Sequence, residues 1–183
     1  MSQAHEHTTS EYTIALARLK DVPFLPPIEL AANTLFDGYV SEDVPEITTS
    51  LQRHEEAQRR GELRVALSND IPIGFALVEL IEPGAAHLEE LDVHPEHGRR
   101  GVGRRLVMTV CAWAASRGFE AVTLTTFREV PFNMPFYSRL GFEVVPLQEL
   151  STALRSRLEE EARRGLDPAI RVVMRRNCAT SGQ

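Results

Sequence analysis

The chain has 183 residues, a size that suits a single domain able to bury its own hydrophobic core. Hydrophobic residues make up 43% of the sequence and charged residues 25%, which is the composition of a globular protein rather than a disordered or fibrous one. The net charge of -6 argues against a nucleic-acid partner, whose binding needs a basic surface. No apolar run reaches the roughly 20 residues of a membrane helix, and residues 1–10 are polar, unlike a secretory signal. We therefore expect a cytoplasmic protein with no membrane partner.

Apolar spacing and turn residues predict strands and helices along the whole chain. Proline suits the first turn of a helix, so Pro26-Pro27 is expected to open the first helix, and Asp43 is the candidate N-cap of the second. Ser68-Asn69-Asp70 is expected to turn a β-hairpin. The predicted strands are residues 11–16, 63–67, 73–80, 86–93, 121–125, 142–145 and 170–175, and the predicted helices are residues 26–35, 44–60, 103–117, 131–140 and 150–164.

This order of elements predicts the fold class. Three consecutive strands followed by alternating helices and strands indicate one mixed sheet with helices on both faces, an α/β domain of the α+β type. We place the domain at residues 11–176, with disordered tails at 1–10 and 177–183. Cys111 falls in an apolar helical pattern and Cys178 in the polar tail, so no structural disulfide is expected.

A loop rich in glycine and arginine precedes the helix over residues 103–117. Its glycines are Gly98, Gly101 and Gly103, and its arginines are Arg99, Arg100, Arg104 and Arg105. Unpaired N–H groups at a helix N-terminus bind phosphate, and glycine lets the backbone approach the phosphate closely. The loop is thus a candidate pyrophosphate site. It lacks the Gly-Lys-Ser/Thr ending of a P-loop and the third glycine of a dinucleotide fingerprint, and a glycine turn with solvated arginines is the structural alternative.

Two motifs resemble those of the GNAT acetyltransferases. Residues 88–106, LEELDVHPEHGRRGVGRRL, resemble the family's acyl-CoA motif, in which a strand ending in L-x-V-x-P runs into Q/R-x-x-G-x-G/A and a helix. Residues 136–142, FYSRLGF, resemble the Y-x-x-L-G-F signature that begins at the family's catalytic tyrosine. The chain departs from the pattern at Gly98, where the family has Gln or Arg, and at Val130, where many members have Asn.

The resemblance implies a single GNAT domain with a mostly antiparallel sheet splayed at the cofactor site, and acetyl-CoA as co-substrate. The backbone of Leu91 and Val93 would pair with the pantetheine arm. Asn133, four residues before Tyr137, is the candidate for a further cofactor contact. The pyrophosphate would lie on the N–H groups of Arg99, Arg100, Gly101, Val102, Gly103 and Arg104. No metal is expected, because His94 and His97 beside the loop are too few to form a metal site.

Direct acyl transfer to an amine needs a base for the ammonium proton and an acid for the departing thiolate. The signature implies that Tyr137 is the acid, although an aromatic packing role is its structural alternative. Glu89 is the candidate base, because strand alternation would place it on the same side as Leu91 and Val93. The Leu-Glu-Glu run also resembles polyamine acetyltransferases of this family. His87 and water remain alternatives for the base, and Glu90 is expected on the opposite face in a structural role.

The predicted function is N-acetyl transfer from acetyl-CoA to an amine of a small molecule or peptide. Two alternatives remain, a non-catalytic acyl-CoA-binding or sensing module and a nucleotide enzyme that binds ATP or NAD at the loop. Asp37, Glu42 and Asp43 would favour a cationic acceptor, unless they are solvated helix caps. The helix over residues 150–164 is a candidate for a homodimer contact or for a cover over the site.

Overall fold

The computed structural model describes residues 12–39 and 48–178. Its strands form one sheet in the order β1-β2-β3-β4-β5-β7-β6, in which only the β4–β5 pair is parallel. The strands are β1 (Thr13–Leu16), β2 (Leu63–Ser68), β3 (Ile71–Glu82), β4 (Ala85–Val93), β5 (Ala121–Phe127), β6 (Glu143–Val144) and β7 (Arg171–Asn177). The helices are α1 (Leu25–Asn33), α2 (Leu51–Arg60), α3 (Val102–Ser116), α4 (Met134–Arg139) and α5 (Thr152–Arg163).

Helices cover both faces of the sheet. β3 shows the alternation: Ala76 and Val78 join the core beneath α3, whereas Phe75 and Leu77 join the core beneath α1 and α2. α4 adds partly buried aromatic side chains to the α3 side, and α5 packs Leu154 against the other face of β7. The mixed, mostly antiparallel sheet with helices on both faces confirms the predicted fold class, and the order of strands and helices is the predicted one.

Local signals in the sequence explain several boundaries. Asn69 and Asp70 take the left-handed φ values of 49° and 64° that a tight hairpin turn requires. Residues 48–50, which fall inside the predicted helix over residues 44–60, are not helical. Residues 44–47 and the proposed cap Asp43 lie outside the described residues, and α2 begins only at Leu51 because the Ser50 side chain accepts a hydrogen bond from the N–H of Arg53.

A β-bulge interrupts the pairing of β4 with β3. Val78 lies opposite Leu88 and its neighbour Leu77 lies opposite Glu90, so Glu89 is an extra residue on β4. A bulge of this kind reverses the alternation of side chains that follow it. Leu91 therefore shares a face with Leu88, three residues earlier, and both contact the core beneath α3.

The sheet splays beyond the bulge. β4 pairs with β5 only from Ala85 to Leu88, opposite Ala121 to Leu124. The rest of β5 pairs with β7 alone, and the last residues of β4 pair with β3 alone. The backbone edges of β4 and β5 that face each other are consequently unpaired near Leu91 and Val93, which confirms the predicted splay. Within the described ranges, no helix is both long and apolar enough to cross a membrane.

Candidate active site

The glycine loop lies at the end of β4 and leads directly into α3. A short 3-10 turn over Pro95–His97 is followed by Arg99 with a φ of 55° and Gly101 with a φ of 78°. Gly101 is the N-cap of α3 and has no side chain to cap it, so the first N–H groups of the helix are left without a side-chain acceptor. A Cβ at Gly103 would lie 3.7 Å from the Phe136 ring and 3.8 Å from Val93, which places this turn beside the splay.

The arginines of the loop differ in what they contact. Arg105 donates to the Tyr12 carbonyl at 3.2 Å and its guanidinium lies 4.8 Å from the centre of the Tyr12 ring. Arg100 contacts His97 at 3.0 Å, and the Tyr12 hydroxyl donates to the Arg100 carbonyl at 3.3 Å. Arg99 and Arg104 are exposed, and neither forms an ion pair with any residue in 12–39 or 48–178. Tyr12 is a contact that sequence reasoning missed, because nothing near it in the sequence links it to the loop.

The structure contradicts the predicted placement of Glu89. The bulge turns Glu89 away from Leu91 and Val93, and its carboxylate forms an ion pair at 2.6 Å with Arg53 of α2, on the opposite face. His87 likewise does not share the side of Leu91. It is buried opposite Glu79 and contacts the Thr123 hydroxyl at 3.0 Å, and burial lowers its pKa to about 4. Such a histidine is neutral at physiological pH and is a weak base.

Three other carboxyl groups lie together on the α1 side of β4. Glu29 of α1 is buried and accepts hydrogen bonds from the N–H of Thr49 at 2.9 and 3.0 Å. Burial and the neighbouring Asp92 and Glu29 raise the pKa of Glu90 well above its usual value. Burial and Glu29 also raise the pKa of Asp92 to about 8. We call Glu29, Glu90 and Asp92 the acidic group.

Tyr137 lies on α4, on the α3 side of the sheet. Its ring packs on the α3 side, with ring centroids 5.0 Å from Phe136 and 5.8 Å from Phe142. Burial raises the pKa of Tyr137, and the charges of Asp92 and Glu90 raise it further. The tyrosine is thus close enough to the acidic group to feel its charge, although that group lies on the other face of β4.

Asn133 is the N-cap residue of the helix that carries Tyr137. Its carbonyl accepts from the N–H of Tyr137 at 3.0 Å, and its side-chain oxygen accepts from the Thr126 hydroxyl at 2.7 Å. Asn133 thereby links the start of α4 to β5. Its side-chain N–H₂ group has no hydrogen bond to the described residues.

Arg171 and an aromatic group line the β5 side. Arg171 donates to Glu161 of α5 at 2.9 Å and to the Thr125 hydroxyl at 3.2 Å, and its guanidinium lies 4.5 Å from the centre of the Phe127 ring. Helix α5 thus borders the site by holding Arg171. Four rings pack in sequence here, which we call the aromatic group: Phe127, Phe36, Phe132 and Tyr39.

Sequence reasoning missed the acidic group, the aromatic group and Arg171. The signal available in the sequence was that Asp92 follows Glu90 by one strand period, which places both side chains on one face of β4. Two surface pockets of about 170 and 190 Å³ lie at the β3–β4 turn and beside Trp113, and neither includes any of these side chains. The chemistry of the side chains indicates the site.

Comparisons with known proteins agree with the fold and the glycine loop described above. A sequence profile of the Acetyltransferase (GNAT) family matches residues 29–142. The chain is 34% identical over 56 residues to the glucosamine 6-phosphate N-acetyltransferase of Trypanosoma brucei brucei, a match that covers 31% of this chain and about a third, 36%, of that protein.

Solved structures share the fold at low sequence identity. The PaiA N-acetyltransferase of Thermoplasma acidophilum, in complex with coenzyme A, has a TM-score of 0.71 at 17% identity, over 91% of this chain and 99% of that one. The ribosomal-protein-S18-alanine N-acetyltransferase of Escherichia coli has a TM-score of 0.65 at 17% identity, over 94% and 97% of the two chains. With the splayed sheet, the glycine loop and a profile match over more than half of its length, the chain belongs to the GNAT acetyltransferase family.

Proposed function

We propose that the protein transfers an acetyl group from acetyl-CoA directly to an amine. The observation that carries the proposal is that the glycine loop lies close to the helix of Tyr137, beside the unpaired edges of β4 and β5. A thioester bound along this opening would lie between Tyr137 on one side and the carboxyl groups of β4 on the other.

The cofactor would use mainly backbone groups. The free edge of β4 at Leu91 and Val93 can pair with the amide groups of the pantetheine arm, as a neighbouring strand would. The positive end of α3 favours an anion, and the N–H groups of Gly101, Val102 and Gly103 are the donors for the pyrophosphate. Arg99, Arg100 and Arg104 are exposed around this turn and add positive charge. The free N–H₂ group of Asn133 is the proposed further contact from α4.

In the reaction, the neutral amine nitrogen would attack the thioester carbonyl, and the carbon–sulfur bond would break to release the thiolate of CoA. Tyr137 is the proposed donor of a proton to that thiolate. Its raised pKa keeps the hydroxyl protonated at neutral pH, so the donor is always present. A thiol has a pKa of about 8.5, so protonation assists the departure without deciding it.

The base would come from β4. An ammonium group has a pKa of about 10, so a base must take its proton before attack. Glu89 is the carboxylate that the sequence indicates, but its ion pair with Arg53 competes with that role. Glu90 is the second candidate, because its raised pKa brings its basicity closer to that of the amine and because it is close enough to Tyr137 to raise the pKa of the hydroxyl. His87 is disfavoured by its burial and by its pKa of about 4.

An acetyl-transfer screen tests the proposal. Purified protein is mixed with acetyl-CoA and a panel of amines that includes glucosamine 6-phosphate, amino acids, polyamines and peptide N-termini, and both free thiol and acetylated product are quantified. We expect equal amounts of CoA and N-acetyl product for at least one acceptor class, and a large loss with Tyr137→Phe. Stable binding of acetyl-CoA without turnover of any amine would favour the sensing module instead. Stabilisation by ATP or NAD but not by acetyl-CoA would favour the nucleotide enzyme.

A further inference from the structure

The acidic group lacks a counter-ion within the described residues, although it lies in the interior of the protein. Glu29 is 3% exposed and Asp92 is 7% exposed. Glu29 has the N–H of Thr49 as a donor, but the Oδ2 atom of Asp92 has no hydrogen-bond partner among residues 12–39 and 48–178. Buried carboxyl groups are normally paired, so an unpaired oxygen here indicates a missing donor.

Three arginines lie near the acidic group: Arg164 is exposed and its charge lowers the pKa of Glu29, and the other two are already paired. Arg53 of α2 pairs with Glu89 at 2.6 Å, and Arg171 of β7 pairs with Glu161 at 2.9 Å. Both would have to leave these partners to pair with an ionised Asp92. Groups of three or more side chains arranged to hold a metal ion do not occur in the part of the chain that the structure describes. The unpaired Oδ2 of Asp92 can accept a hydrogen bond from an ammonium ion, which donates several hydrogen bonds and needs no fixed coordination geometry.

The aromatic group gives a second, independent indication of the ligand. Phe127 and Phe36 have ring centroids 5.4 Å apart, and Phe132 follows Phe36 at 5.2 Å. Phe132 is 38% exposed, so an apolar surface remains uncovered at this end of the site. Arg171 connects the two groups, since its guanidinium lies over the Phe127 ring and its charge lowers the pKa of Glu90.

We infer that the acceptor is a cationic primary amine with an aromatic or similarly bulky apolar body and with no carboxylate or phosphate beside the amine. Its ammonium group binds among Glu29, Glu90 and Asp92, and its body packs on the aromatic group. This inference rests on the proposed acetyl transfer and names its acceptor class. An acceptor with an anionic group next to the amine would meet three carboxyl groups, while the exposed Arg164 acts on Glu29 alone among the three.

The test compares acceptors that differ in a single group. Wild-type protein is assayed with acetyl-CoA and 2-phenylethylamine, phenylalaninamide, phenylalanine or ethylamine, and kcat/KM is measured for each. Phenylalanine adds a carboxylate to 2-phenylethylamine, and phenylalaninamide controls for the added branch without the charge. We expect phenylalanine to be at least about tenfold poorer than phenylalaninamide, because its carboxylate is repelled by the acidic group whereas the amide is neutral. We also expect ethylamine to be at least about tenfold poorer than 2-phenylethylamine, because it leaves the aromatic group uncovered.

Two variants assign these preferences to the site. Glu29→Gln keeps the shape of the side chain and is expected to reduce the ratio of kcat/KM for phenylalaninamide to kcat/KM for phenylalanine. Glu82→Gln, at the far end of β3, is the matched control. Phe132→Ala is expected to reduce the ratio of 2-phenylethylamine to ethylamine, with the exposed Phe24 changed to Ala as its control.

Each outcome decides the inference. Turnover of phenylalanine equal to or above that of phenylalaninamide would overturn it and would leave the proposed acetyl transfer intact. Unchanged ratios in both site variants would overturn the assignment to these residues. Absence of turnover with every amine of this set and of the wider screen would overturn the proposed function and this inference with it.

Discussion

The raised pKa of Asp92 has a consequence for stability that a single substitution measures. Between its usual value of 3.8 and its value of about 8 in the folded protein, the folded chain keeps a proton on Asp92 that the unfolded chain has lost. Stability falls with rising pH wherever the folded state binds more protons. Asp92 therefore destabilises the protein progressively from about pH 4 to about pH 8, and this penalty is absent at lower pH. Asp92→Asn removes the titration and is expected to stabilise the protein above pH 4.

The magnitude follows from the size of the shift. Each pKa unit corresponds to about 1.4 kcal/mol, so a rise from 3.8 to about 8 sets a ceiling of about 6 kcal/mol at pH 8. Water that enters the site when the carboxylate ionises reduces this penalty, so we expect about 2 kcal/mol. For a chain of this length that is a rise in Tm of about 4 to 8 °C at pH 8.

The assay is thermal unfolding of wild type and Asp92→Asn at pH 4.5 and pH 8, followed by circular dichroism. Glu82→Gln, at the β3–β4 turn away from the acidic group, is the control for a neutralised carboxylate. The expected gain in Tm is large at pH 8 and small at pH 4.5. A variant that is less stable than wild type at pH 8, or a gain that is the same at both pH values, would refute the reasoning, because neither follows from a carboxyl group held protonated by burial.

Three further predictions concern the acid, the base and the backbone of β4. Tyr137→Phe keeps the ring and removes the hydroxyl, so kcat should fall by about 10² or more. The Kd for acetyl-CoA, measured by calorimetry, and the Tm should stay nearly constant. A kcat within about threefold of wild type would make Tyr137 a packing residue. Glu89→Gln and Glu90→Gln are compared by their pH–rate profiles. The substitution that removes the base should reduce kcat/KM at neutral pH, and kcat/KM should recover at high pH, where the amine loses its proton unaided. If both profiles match that of wild type, water takes the role of the base. Gly74→Ala should lower the Tm, since its Cβ would lie 2.7 Å from the Asp92 carbonyl; an unchanged melting curve would contradict the close packing of β3 on β4.

The sequence predicts those parts of the fold that local chemistry determines. The turn at Asn69 and Asp70 follows from residues that tolerate left-handed φ values, and the start of α3 follows from the glycines before it. The start of α2 does not follow from sequence alone, because Asp43 and Ser50 are both suitable N-cap residues, and the structure shows that Ser50 caps the helix that begins at Leu51.

The candidate site could be predicted only in part, because much of it depends on pairing between strands. A bulge arises from the register of two strands, so the alternation of β4 alone gave the wrong face for Glu89. Glu29 and Arg171 come to the site from distant parts of the chain, and nothing in their own sequence neighbourhood indicates the contact with β4. Tyr137 and the glycine loop could be identified from sequence because each belongs to a motif of consecutive residues.

The proposed acetyl transfer requires that the loop before α3 binds the pyrophosphate of acetyl-CoA. Calorimetric titration of acetyl-CoA into wild type, Gly103→Asp and Ala112→Asp tests this claim directly. Both substitutions add one negative charge to α3, but Gly103 lies in its first turn beside Val93, whereas Ala112 is exposed near its other end. We predict one acetyl-CoA bound per chain for wild type and Ala112→Asp, and no measurable binding for Gly103→Asp, because an anion at the helix N-terminus repels the phosphates. A folded Gly103→Asp protein with wild-type affinity would contradict the claim.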